Sequence, residues 1–188
     1  MKVPLSLFLS LLSLSYGSQQ DSGGAAPEDL TQMREQAERG NARAQCNLGA
    51  IYDRDQDYAE AFRWYLKAAE QDYDTAQYLL GGMYEQGKGV AQDYAEAVRW
   101  WRKAAEDGNA EAPFSLGVMY ATGRGVTRNY VRAYMWATLA LRAGGKSQKA
   151  AASLCDVLAA KMTPAQIAEA QRLTSAWKPE TTGGRPMK

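Results

Sequence analysis

The chain has 188 residues, 46% hydrophobic and 23% charged, with a formal net charge of +1 at pH 7. This is enough apolar material for one core, and the overall balance excludes a strongly basic nucleic-acid or anionic-membrane binder. There is no histidine, and the two cysteines are Cys46 and Cys155, so Ser-His and Cys-His catalytic pairs, histidine metal sites, four-thiolate zinc sites and a disulfide framework are excluded.

Met1 to Gly17 carries one lysine, an apolar run from Leu5 to Leu14, then small residues Ser15 and Gly17 at the −3 and −1 positions of a cleavage site. That is the pattern of a secretory signal. The run is too short for a membrane-spanning helix, which needs about 20 residues. No cysteine follows it, so a lipid anchor is not indicated. Residues 18–26 read as a polar, glycine-containing linker. A first helix over 27–43 opens at Pro27 and ends near Gly40, with Leu30, Met33 and Ala37 expected to face inward.

Beyond it the chain repeats. Asp57–Gln92 and Asp93–Arg128 align without a gap and share 19 of 36 positions. Trp64, Trp100 and Trp136 recur in one phase; Tyr58, Tyr94 and Tyr130 recur in another. Each unit reads as two helices. Ala76, Leu80, Gly81 and Tyr84 mark one face of the first helix. Asp57 with Glu60, and Asp93 with Glu96, read as capping boxes that open the second. Ala61, Tyr65 and Ala68, like Ala97, Trp101 and Ala104, form its inner stripe. Gly40, Gly108 and Gly144 end second helices where a positive φ is needed, with Asp72 in that place once. The loops GKGV (87–90) and GRGV (123–126) have the wrong spacing for a phosphate loop and read as tight turns. The first unit has the shorter DRDQ (53–56), a loop expected to lie outside the helical layers.

Ser147 to Lys161 then reads as a helix with Ala151, Leu154, Leu158 and Met162 inward. Thr163, Pro164 and Gln166 open a closing helix that carries Ile167, Ala170, Leu173, Thr174 and Trp177. Residues 178–188 are expected to be a disordered tail.

The segments AQYLLGGMYEQGKGV and DYAEAVRWWRKAA resemble the Sel-1-like repeat family, a branch of the tetratricopeptide-type solenoids. Ala44–Tyr73, Ala76–Asn109 and Ala112–Gly145 are three copies; the last departs where YMWATLAL replaces RWWRKAA. The resemblance implies an all-α solenoid, a right-handed superhelix of helix-turn-helix repeats at 44–145, closed by capping helices at 27–43 and 146–177. It also implies a scaffold or adaptor for another protein or peptide, with no cofactor, no metal and no catalysis. The cysteine pairs of the family's cysteine-rich members are absent.

In such arrays the first helices line the concave face. Positions there that vary between copies are the candidate contacts: Cys46, Asn47 and Ala50; Tyr78, Leu79 and Gly82; Phe114, Ser115 and Val118. A second reading is a glycan or peptidoglycan-fragment binder whose tryptophans stack on sugar rings, and a hydrolase ranks below both. The mature protein is expected to be periplasmic or secreted and bacterial, with no membrane span once the signal is cleaved, and to bind no nucleic acid.

Overall fold

The computed structural model describes residues 27–179. The segments expected to be a signal and a linker, and most of the expected tail, lie outside them. Nine α-helices and no strand are found among the described residues: α1 (Pro27–Glu38), α2 (Ala42–Arg54), α3 (Tyr58–Ala69), α4 (Asp74–Gln86), α5 (Tyr94–Glu106), α6 (Ala112–Thr122), α7 (Tyr130–Ala143), α8 (Gln148–Ala159) and α9 (Pro164–Ala176). The pairs α2/α3, α4/α5 and α6/α7 are the three repeats, and each pair packs on the next.

Small residues bring the paired helices together. A Cβ on Gly49 would strike the Tyr65 ring, and one on Gly81 the Trp101 ring. In the third repeat Ala137 holds the corresponding place. Leu154 of α8 enters instead, 3.3 Å from where a Cβ of Gly117 would stand. The inner stripes Ala61–Tyr65–Ala68 and Ala97–Trp101–Ala104 are buried, as are Leu48, Leu80 and Leu116.

The caps differ from the expected boxes. Asp57 Oδ1 accepts from the Glu60 amide (3.3 Å) and Asp93 Oδ1 from the Ala95 and Glu96 amides (2.8 and 3.1 Å). The glutamates do not reach back. Each cap's own amide already donates to the first helix of its repeat, Asp57 N to Tyr52 O (2.9 Å) and Asp93 N to Tyr84 O (3.0 Å). Glu60 and Glu96 therefore turn to Arg63 and Arg99. At α9, where no such carbonyl competes, the box is complete: Thr163 N donates to Gln166 Oε1 (2.9 Å) and Gln166 N to Thr163 Oγ1 (3.3 Å).

The glycine loops lie between layers, not outside them. Gly89 and Gly125 both adopt φ near +68° and press on the backbone carbonyls of Tyr58 and Tyr94, which open the second helices of the preceding repeats. Lys88 sits over the Tyr58 ring at 5.0 Å and Arg124 over Tyr94 at 5.4 Å. The first repeat has only the half-repeat α1 before it, which is why it tolerates the short turn, with Gln56 at φ 64°.

At the array ends, α1 buries Ala37 and half-buries Met33, whereas Leu30 is 40% exposed. Leu30 was expected inside; α1 has a neighbour on one side only, and its first turn overhangs. At the other end α8 packs on α6 and α7, and α9 lies along α7. Trp177 meets Trp136 edge to face, with centroids 5.6 Å apart.

Candidate binding surface

The first helices α2, α4 and α6 present equivalent positions to three different environments. On α2 the stripe Arg43, Asn47, Ala50 and Arg54 is exposed. On α4 Thr75 is exposed, Leu79 is half-buried and Gly82 is buried. On α6 Ser115 and Val118 are buried. The change has one cause. Among the described residues no helix is packed over the exposed stripe of α2, whereas α8 packs across α6 and adds Leu154, Cys155 and Leu158 to its core. The face is open at the N-terminal end of the array and filled at the C-terminal end.

Of the nine candidate contacts, Asn47 and Ala50 are open to solvent and Leu79 is half-open. The phase Cys46, Tyr78 and Phe114 is an interlayer phase. Cys46 packs with Ala76 and Leu80 of the second repeat, Tyr78 with the third-repeat core, and Phe114 within that core. Each side chain fills the gap to the next layer, so none of the three forms an open groove wall. Gly82, Ser115 and Val118 are likewise enclosed.

Burial sets the chemistry of these groups. The Cys46 thiol is pushed up to about 12, first by burial and then by the Asp74 carboxylate, so it is an inert packing group. The Tyr78 hydroxyl is also pushed up to about 12, by burial and then by Glu111. Trp101 Nε1 donates to the Tyr78 carbonyl at 3.1 Å, tying α5 to α4. Asp53 and Glu85 occupy equivalent positions and both carboxyls are raised by burial, opposed by Lys88 and Arg124 of the following loops.

A polar seam was missed in the sequence. Gln45 Nε2 donates to the Ala37 carbonyl (3.0 Å), and Gln77 Nε2 to the Ala69 carbonyl (3.4 Å) and Asp107 (2.8 Å). Each glutamine stitches its first helix to the end of the previous layer. The recurrence of Gln45 and Gln77 at one position was the available signal. Pro113 holds that position in the third repeat and has no donor to offer. A pocket of about 380 Å³ opens there, lined by Ala105, Asn109, Pro113, Leu139, Arg142 and Trp177 among others. Among the described residues no group of three or more Cys, Asp or Glu is placed to hold a metal, and no helix is long and apolar enough to cross a membrane.

A model of the Sel1 repeat matches residues 42–73, 74–109 and 110–145, more than half of the chain. The chain belongs to the Sel1 repeat family. Its helical fold is shared with a protective antigen of uropathogenic Escherichia coli described as having an SLR fold, at 34% identity and a TM-score of 0.74 over 88% of this chain and 36% of that one. A Sel1 repeat protein from Oxalobacter formigenes is 33% identical, with a TM-score of 0.60 over 68% of this chain and 98% of its own. Cysteine-rich protein B of Helicobacter pylori, at 23% identity and a TM-score of 0.51, shares the fold. An Arabidopsis thaliana relative, the ERAD-associated E3 ubiquitin-protein ligase component HRD3A, is 33% identical over 78 residues. This Sel1 chain spans 12% of that protein's length. Sel1 repeat proteins generally mediate protein–protein interaction, and the family is typically a non-catalytic scaffold.

Proposed function

We propose that this Sel1 array is an exported scaffold that holds a protein or peptide on the concave face formed by its first helices. The observation that carries the reading is the open stripe Arg43, Asn47, Ala50 and Arg54 on α2, continued by Thr75 and half-buried Leu79 on α4. It offers donors, small residues and one apolar anchor along a rigid face, which suits an extended or helical segment. The tryptophans support a protein ligand over a sugar. Trp100, Trp101 and Trp136 are buried, and Trp64 and Trp177 are half-buried against neighbouring layers, so no exposed row of rings is available to stack on sugars.

A photo-crosslinking residue at Asn47 or Ala50 is expected to capture a discrete protein in an envelope extract. The same residue at Ala59, exposed on the second helix α3, is expected to capture none. Equal capture from both faces would overturn the concave assignment. Retention on peptidoglycan with no protein adduct would favour the glycan reading. Export is tested by N-terminal sequencing of the natural protein, with a start near Ser18 expected; an intact Met1 in a cytoplasmic pool would overturn it.

A further inference from the structure

Charge is unevenly spread along this chain. No aspartate or glutamate occurs between Ala112 and Cys155, a stretch that contains Arg124, Arg128, Arg132, Arg142, Lys146 and Lys149. Comparing the repeats shows where the sign changes. Tyr52, Tyr84 and Tyr120 occupy one position near the ends of the first helices. The preceding second helix offers each of them Arg34, Leu66 or Arg102, and the following one offers Glu60, Glu96 or Arg132.

At Tyr52 the hydroxyl accepts from Arg34 at 3.5 Å, and the equivalent acid Glu60 is held by Arg63. At Tyr84 the ring meets Phe62 edge to face at 5.5 Å, and Glu96 is held by Arg99. At Tyr120 both flanking positions are arginine. Arg102 Nη2 donates to the Tyr120 hydroxyl at 2.9 Å and Arg132 Nη1 at 3.4 Å. Two guanidiniums therefore converge on one oxygen. The ion pairs within 4.0 Å among the described residues involve neither of them. Tyr120 is 4% exposed; its oxygen accepts twice, and among the described residues no acceptor takes its proton.

The fold does not require this arrangement, because the first two repeats build the same layer with other residues. Arg132 also stands in the first turn of α7, where a cation opposes the helix dipole and where Glu60 and Glu96 favour it. Like charges held this close repel unless an anion lies between them. Further along the same edge, Arg124 lies over the Tyr94 ring and Arg128 over the Tyr130 ring, at 5.4 and 5.7 Å. Glu85 partly offsets Arg124, and Glu106, one turn along α5 from Arg102, has contacts of its own.

We propose that Arg102, Arg132 and the Tyr120 hydroxyl form an oxyanion site between α5 and α7 that takes a carboxylate from an acidic segment of a protein partner. Guanidinium forks match a carboxylate through paired hydrogen bonds, and the phenol adds a third donor. Arg124 and Arg128 extend the positive edge beyond a single group, which fits a run of acidic side chains rather than one small ion. The site lies on the second-helix face, apart from the first-helix stripe, and rests on the scaffold reading only in taking a protein as its occupant.

The test uses a fluorescein-labelled octaglutamate peptide and its anisotropy with the full chain at low and high salt. Arg102→Leu combined with Arg132→Glu gives the third repeat the residues of the second, so folding is expected to survive, and a thermal melt checks it. Loss of two guanidiniums, one of them replaced by a carboxylate that repels the peptide, is expected to weaken binding by at least about tenfold to a hundredfold. Arg142→Gln with Lys149→Gln, cations outside the proposed site, are expected to stay within about twofold at moderate salt. Unchanged affinity in the first variant, or equal loss in both, would overturn the site. No peptide binding, with Arg102-dependent sedimentation on phosphatidylglycerol vesicles, would overturn the acidic-protein assignment. Neither result alters crosslinking from Asn47, so the two proposals fail separately.

Discussion

Single residues in this array are constrained by the distance between layers more than by their own chemistry. At Gly81 an added methyl would collide with the Trp101 ring, which the Tyr78 carbonyl holds in place through its indole N–H. Gly81→Ala is therefore expected to cost about 1–3 kcal/mol by overpacking, read as a lower urea midpoint. Gly117→Ala, whose nearest neighbours stand at 3.3 Å, is expected to cost less than half of that; equal losses would show that ring position is not the constraint. Cys46 gives a second residue-scale expectation. Its folded value of about 12 exceeds the ordinary 9.0, so the neutral thiol is the form the fold favours. The contribution is fully present below the ordinary value and is lost as pH rises through the folded one. Maleimide labelling at neutral pH should leave Cys46 and Cys155, both buried, unmodified until the protein unfolds. Prompt labelling of the folded chain would contradict their placement.

At the scale of elements, the helix order and the inner stripes were readable because packing imposes period and phase together. Leucine, alanine and aromatic positions recur wherever one layer meets the next. What could not be read was competition between elements. The boxes at Asp57 and Asp93 have the right residues, yet the Tyr52 and Tyr84 carbonyls claim the cap amides first. Likewise Tyr78 and Phe114 vary between copies as contact residues do, yet both pack into the third-repeat core. The charge reversal around Tyr120 was visible in the letters and needed only comparison of equivalent positions. The cap geometry yields a test. Asp93→Ala should cost about 1 kcal/mol, since two amides lose an acceptor. Glu96→Ala, which cannot reach back to the cap amide, should cost only a few tenths, the worth of an exposed ion pair. A Glu96 loss equal to that of Asp93 would mean that the reciprocal box forms in solution.

Across the whole molecule, an array of this kind is stable only if each layer is covered, and its last layer depends on the closing helix. The third repeat departs from the pattern in its second helix, and that departure is what admits the cap. Ala137 replaces the aromatic of earlier repeats and lets Leu154 in. Trp136 turns to Trp177 instead of a following layer. On α9, Ala170 and Thr174 are buried, Leu173 and Trp177 pack on the core, and Arg142 reaches the Thr174 carbonyl at 3.5 Å. Removing everything after Trp177 takes away Lys178 and Pro179, both exposed, and residues outside the described part, and should leave the melting temperature almost unchanged. Removing everything after Met162 deletes α9 and uncovers Trp136 and Leu139. That should cost several kcal/mol, roughly the burial of two or three large apolar side chains plus the gap left behind. The loss should appear as a lower midpoint together with faster hydrogen exchange in α7, while α2 and α3 at the far end keep their protection, because each layer is supported mainly by its neighbours. Equal midpoints for the two truncations would show that α9 does not cap the array and is free to dock elsewhere.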